Sequence, residues 1–166
     1  MDLELHLSGY EIKRLSYEDT EALQALLGES SDYMELAFGR PTKPTDAVSL
    51  LRHVPKDKSL DDKRTIGIYD REKLIGILDI VKDYPTPETW FIGLLLFVPS
   101  VRNRSLGSKV FRALVAALKN TDARTINISV VNQNTAGRRF WEKLGFKETE
   151  KGREGESEIT FFEYSI

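Results

Sequence analysis

The stretch FVPSVRNRSLGSKVFRAL, residues 97–114, carries residue types whose spacing suits anion binding. An apolar run ends at Val98–Pro99, an arginine-bearing loop follows, and a Ser/Gly turn opens an amphipathic segment. A helix start presents unpaired backbone N–H groups and the positive end of a dipole, so such a turn receives phosphate oxygens. Gly107 lets them approach closely, while Arg102 and Arg104 add donors and charge. An ordinary strand–loop–helix connection with two solvated arginines fits the same residues. Asp79 is the second feature, a carboxylate inside the apolar run GILDIV (76–81). A charge there either faces solvent or does chemistry. Glu88, Tyr84, Tyr33 and His53 are further candidates, each of which also reads as a loop or packing residue. The chain has no Cys, which excludes disulfides, thiolate metal sites and a cysteine acyl-enzyme. His6 and His53 are the only imidazoles, so no multi-histidine metal site is expected.

These residues need a scaffold, and 166 residues suffice for one domain with one sizeable core, taken here as 1–166. With 40% hydrophobic and 30% charged residues, the composition is that of a soluble globular protein. A net charge of -2 disfavours nucleic acid and anionic membranes as partners. The start, MDLELHLSGYEIKRL, lacks the apolar segment of a secretory signal, and the run LLLFV (94–98) is far too short to span a bilayer, so a cytoplasmic location is expected. Periodicity predicts a strand at 10–15, a helix at 17–27 with Ser16 as N-cap and Gly28 as its stop, and a short helix at 30–38. After the break at RPTKP a helix is expected at 45–54 and a polar loop at 55–62. Strands at 64–70 and 73–81 flank a tight turn at Arg71–Glu72, and TWFIGLLLFV (89–98) reads as a strand at the centre of a covered sheet. A helix at 105–119, a strand at 125–131, a helix at 135–144 closed by Gly145 and two final strands complete the order. The class is α/β, a single mixed and mostly antiparallel sheet flanked by helices.

VRNRSLGSK resembles the pyrophosphate-binding motif of the GNAT N-acetyltransferase superfamily, R/Q-x-x-G-x-G/A. Arg102 matches its first position and Gly107 its second glycine, while Ser105 stands where the first glycine is expected. A later segment, VVNQNTAGRRFWEKLGFKE (130–148), is similar to the family's Asn-plus-helix motif. Asn134 matches the Asn, Gly137 replaces a usual Ala, and EKLGF (142–146) matches letter for letter. The likeness is sharp over 89–148, consistent in element order over 10–166, and silent over 28–62. It implies the GNAT fold and acetyl-CoA as co-substrate, with no metal. By the same resemblance, Leu96, Phe97 and Val98 lie along the pantetheine arm, the turn Arg102, Asn103, Arg104, Ser105, Leu106, Gly107 and Ser108 holds the pyrophosphate, and Asn134, Gly137, Phe140 and Trp141 complete the cofactor site. Many members carry a Tyr where this chain has Trp141, and an indole N–H is not a proton source near neutrality.

The implied reaction is direct transfer of acetyl to a primary amine of a small molecule, peptide or protein. A lysine-like amine of pKa ~10.4 is neutral in about 1 molecule in 2,500 at pH 7, a deficit of about 4.6 kcal/mol that a base must offset. Asp79 and Glu88 are the candidates for that base. A GNAT-like module that senses acyl-CoA without turnover is the alternative reading. A nucleotide-binding α/β domain is disfavoured, because there the loop follows the first strand and here it follows the fourth. The closing strand ITFFEYSI is a candidate for pairing across a homodimer.

Overall fold

The computed structural model describes residues 3–166. Its strands form one seven-stranded sheet in the order β1-β2-β3-β4-β5-β7-β6. The first strand, β1 (Glu11–Arg14), is followed by three helices, α1 (Thr20–Glu29), α2 (Ser31–Phe38) and α3 (Asp46–Arg52). Next come β2 (Lys63–Asp70), β3 (Lys73–Lys82) and β4 (Thr89–Phe97), an antiparallel meander. The helix α4 (Leu106–Leu118) carries the chain over to β5 (Thr125–Val131), which lies parallel to β4. Finally α5 (Thr135–Leu144) leads to the antiparallel pair β6 (Lys147–Glu154) and β7 (Ser157–Ser165).

The α4 stripe of Leu106, Val110, Phe111, Leu114, Val115 and Leu118 is buried, as its spacing requires. Each large apolar side chain buried this way contributes roughly 1.5–3 kcal/mol. β3 is buried at every position from Leu74 to Val81, which fits its place between two paired strands with both faces covered.

Three expectations are corrected. Ser16 does cap, but it opens a 3-10 turn at Tyr17–Asp19 rather than α1 itself. Gly28 does not stop α1, which runs on to Glu29. The Ser30 amide, bonded to the carbonyls of Leu26 and Leu27, marks the real end. The closing strand β7 lies between β5 and β6 and is paired on both sides, so it has no edge to offer a second copy. Of the described strands, β1 and β6 are the edges, and β6 is lined with exposed Lys, Glu and Arg, the usual protection against strand addition.

Candidate active site

The centre of the sheet is split. β4 and β5 pair over only four positions, Thr89 with Thr125 to Ile92 with Ile128. Opposite β3, Ile92 faces Ile80 and Leu94 faces Asp79, so Gly93 is an extra residue, a bulge in β4. A bulge bends its strand, and beyond it β4 follows β3 while β5 follows β7. Gly93 is exposed and Leu94 and Leu95 are half-buried, although they belong to a mid-sheet strand. The edge of β4 that faces the opening can be read from its bonds. The Val98 N–H donates to the Ile75 carbonyl at 2.9 Å, towards β3. Successive residues of a strand alternate sides, so Leu96 also turns to β3, whereas Leu95 and Phe97 turn to the opening. Leu96 and Val98, expected along the pantetheine arm, thus turn their backbone groups to β3, and Phe97 of the same expectation turns to the opening.

At the open end of the wedge, the chain turns into α4. The first helical bond here is from the Lys109 N–H to the Ser105 carbonyl at 3.1 Å. Among the described residues, none of the amides of Asn103, Arg104, Ser105, Leu106, Gly107 and Ser108 has a protein partner. Asn103 and Ser105 are both left-handed, at φ 62° and 61°. Ser105 thus adopts the conformation a glycine takes freely, at a cost of roughly 1 kcal/mol or more. Its hydroxyl makes no capping bond, so it serves through its backbone and not as the side-chain cap expected of Ser. Gly107 is closely packed: a Cβ there would lie 3.1 Å from Phe140 Cζ and 3.7 Å from Phe97 Cε2. Asn134 caps α5, its Oδ1 accepting from the Gly137 N–H at 2.9 Å. A Cβ on Gly137 would overlap that same side chain.

A run of free amides at a helix start, beside a strand edge open for several residues, can hold a diphosphate and an extended amide-bearing arm. The family model described as "Acetyltransferase (GNAT) family" matches residues 24–146. The chain belongs to the GNAT acetyltransferase family. Acetyl-CoA is the acyl donor of that family, and this chain is an acetyl-CoA-dependent acetyltransferase. No curated protein matches it in sequence. Solved structures share its fold. An acetyltransferase from Thermus thermophilus superposes with a TM-score of 0.81 at 20% identity, over 98% of this chain and 100% of that one. The PaiA N-acetyltransferase of Thermoplasma acidophilum, in complex with coenzyme A, gives 0.69 at 21% identity, over 93% and 99%. The ribosomal-protein-S18-alanine N-acetyltransferase of Escherichia coli gives 0.67 at 15% identity, over 95% and 94%.

Within this GNAT fold the remaining candidates separate. Asp79 is 5% exposed, which removes the solvent-facing alternative. Its Oδ2 takes Lys63 Nζ at 2.6 Å and its Oδ1 takes the Thr65 hydroxyl at 2.6 Å. Burial pushes the Asp79 carboxyl above its ordinary value, and the Lys63 ammonium opposes that rise. Oδ2 is also 3.4 Å from where a Cβ on Gly93 would stand, so the bulge opens directly beside this carboxylate. Glu88 is not brought there. It precedes β4 at the paired end, roughly 16 Å back along the strand from the bulge. Its backbone carbonyl receives the Arg124 N–H, and its carboxylate lies near Arg124 in solvent. Tyr84 packs edge-on to Phe91 at that same end. Tyr33, half-buried in α2, has its phenol pushed up to about 12 by burial and by the nearby Glu154. His53 is exposed at the end of α3.

Trp141 is 9% exposed and sits among Phe111, Phe140 and Phe146, at centroid distances of 6.1, 4.8 and 5.1 Å. It ties α5 to α4. The Arg102 guanidinium is already engaged within the protein, by Asp32 and the Phe97 carbonyl. Arg104 is the exposed arginine of the turn. Sequence reasoning missed Leu95, Gly93 and Lys63. Gly93 carried a signal, since a lone glycine inside a strand pattern marks a bulge.

Proposed function

We propose that the chain transfers the acetyl group of acetyl-CoA directly to a primary amine of a small molecule, peptide or protein. The observation that carries this is the wedge opened by the Gly93 bulge, continuous with the free amides of residues 103–108. Those amides, with Arg104, hold the diphosphate. The Leu95 backbone and the Phe97 N–H hold the pantetheine arm, the Phe97 carbonyl being bonded to Arg102. Phe97, Phe140 and Gly107 shape the floor, and Asn134 and Gly137 fix the start of α5 beside it. Holding both reactants in one cleft supplies much of the rate. An edge N–H of β4 polarises the thioester carbonyl. Asp79 receives the proton of the acceptor amine as the C–N bond forms; the C–S bond then breaks, and coenzyme A leaves as a thiolate that takes its proton from solvent. The Lys63 ammonium opposes the rise that burial imposes on the Asp79 carboxylate, and that rise makes it a stronger base than a solvated one. This role goes to Asp79 and not to Glu88, which stands at the wrong end of β4. The reading uses no metal, nucleic acid or membrane, covers 1–166 as one domain, and fits a cytoplasmic enzyme. Two of the structural neighbours act as N-acetyltransferases, one of them on a protein alanine, which favours nitrogen as the acceptor.

Calorimetric titration with acetyl-CoA, paired with thiol release across a panel of small amines and peptide N-termini, tests the reading. Binding with amine-dependent release is expected. Tight binding with no release for any amine would leave an acyl-CoA sensor instead.

A further inference from the structure

The root of the diphosphate turn is tied to a helix that the reaction does not otherwise use. Arg102 Nε donates to the Phe97 carbonyl at 2.8 Å, the same carbonyl that the strand alternation turns to the wedge. The other two nitrogens meet both oxygens of Asp32, at 2.5 and 3.2 Å, in a forked pair. Asp32 stands in the first turn of α2, 70 residues earlier in the chain. Arg102 holds the Asp32 carboxyl below its ordinary range. Between this anchor and Gly107, Asn103 and Ser105 are both left-handed without being glycine. Such a backbone persists only where its surroundings over-determine it. Downstream, the packing of Gly107 under Phe140 does so; upstream, the fixed point is Arg102.

We propose that Asp32 is a positioning residue for the co-substrate: by holding Arg102 in a fork it fixes the upstream end of turn 102–108, so that the free amides are aimed at the diphosphate before it arrives. This rests on the proposed function of that turn. Asp32 therefore acts through Arg102 and touches no substrate. The opposite relation, in which Asp32 competes with the diphosphate for the guanidinium, predicts the opposite sign. An anchor makes binding weaker when Asp32 is lost, whereas a competitor makes it tighter.

The full chain is titrated with coenzyme A at about 50 mM and about 500 mM salt. For Asp32→Asn, CoA affinity is expected to fall about three- to tenfold at low salt, and less at high salt, as befits a partly exposed forked pair. At saturating acetyl-CoA, kcat stays within about twofold and the loss appears in KM. Arg102→Lys keeps the charge, loses the fork and is expected to weaken binding likewise. Adding Asp32→Asn to it should then cost nothing more. Asp32→Ser, an equally mild change on an exposed turn, gives a second folded variant. Unchanged or tighter CoA binding by both Asp32 variants overturns the proposal while leaving the site intact. A wild-type chain that binds no CoA overturns the site itself.

Discussion

Removing both members of the Lys63–Asp79 pair separates the two jobs it is given. The pair is 4% and 5% exposed with a 2.6 Å contact, so neither charge has water to fall back on. Lys63→Met alone leaves a buried carboxylate, and Asp79→Asn alone leaves a buried ammonium. Breaking such a pair from one side costs roughly 3–5 kcal/mol. With a urea slope of about 2 kcal/mol/M for a domain of this size, the unfolding midpoint falls by about 1.5–2.5 M. Lys63→Met with Asp79→Leu removes both charges and returns most of that loss, since apolar replacement of a buried pair is often neutral. What remains is the Thr65 hydroxyl, which loses its acceptor at a cost of about 1–3 kcal/mol. The double variant is therefore expected to fold while lacking the carboxylate beside Gly93. If Asp79 takes the amine proton, kcat/KM for acetyl transfer drops by about a hundredfold or more and the acidic limb of the pH–rate profile disappears. Single variants whose midpoints stay within about 0.3 M of wild type would refute the buried pair. A folded double variant with wild-type kcat/KM would refute the base.

Gly107→Glu sets a carbon 3.1 Å from Phe140 Cζ and a negative charge at the helix start, so acetyl-CoA affinity should fall well over tenfold by calorimetry. Unchanged affinity in a folded variant would mean that the diphosphate lies elsewhere. Acid stability gives an independent check. Arg40 holds the Asp46 carboxyl below its ordinary value and Arg102 does the same for Asp32, so folded carboxylates there bind protons less readily than unfolded ones. Their stabilisation is complete above the unfolded value of about 3.9 and is lost as pH falls through the lower folded values. Burial gives Asp79 the opposite sign. The urea midpoint of Asp46→Asn should thus decline less than that of wild type between about pH 5 and pH 3, and parallel declines would deny the Arg40 pairing its role.

The fold was largely legible because its elements are punctuated by strong local signals. The α4 stripe, the Asn134 cap, Gly145 after α5 and the two-residue turn at Arg71–Glu72 each act within a few residues. The site was legible only where it depends on local order, as in the turn before α4. Lys63 and Asp79 are 16 residues apart, and Asp32 and Arg102 are 70 apart, so their pairings depend on sheet register and helix placement that no window of sequence contains. The orientation of Leu96 and Val98 along β4 has a similar origin. Which amides face the wedge is decided by the ladder to β3, through the bond from Val98 to Ile75, and not by the apolar pattern, which is continuous on both faces.

Ser105 occupies a left-handed position of the turn where the motif carries its first glycine. Were the missing side chain the requirement, a serine there would obstruct the turn. Instead Ser105 is exposed, its hydroxyl caps nothing, and its backbone sits at φ 61°, the left-handed value a glycine reaches without cost. Ser105 thus holds a left-handed backbone without being glycine. Asn103 does the same two positions earlier, and asparagine tolerates that region better than most residues. Two left-handed residues flank Arg104 in a turn whose amides at 103–108 have no protein partner among the described residues. The turn is flanked by the Arg102 bond to the Phe97 carbonyl on one side and by Gly107 packed under Phe140 on the other. At the second glycine the constraint is one of space, since a Cβ there would stand 3.1 Å from Phe140 Cζ and the ring would have to give way by a few tenths of an ångström.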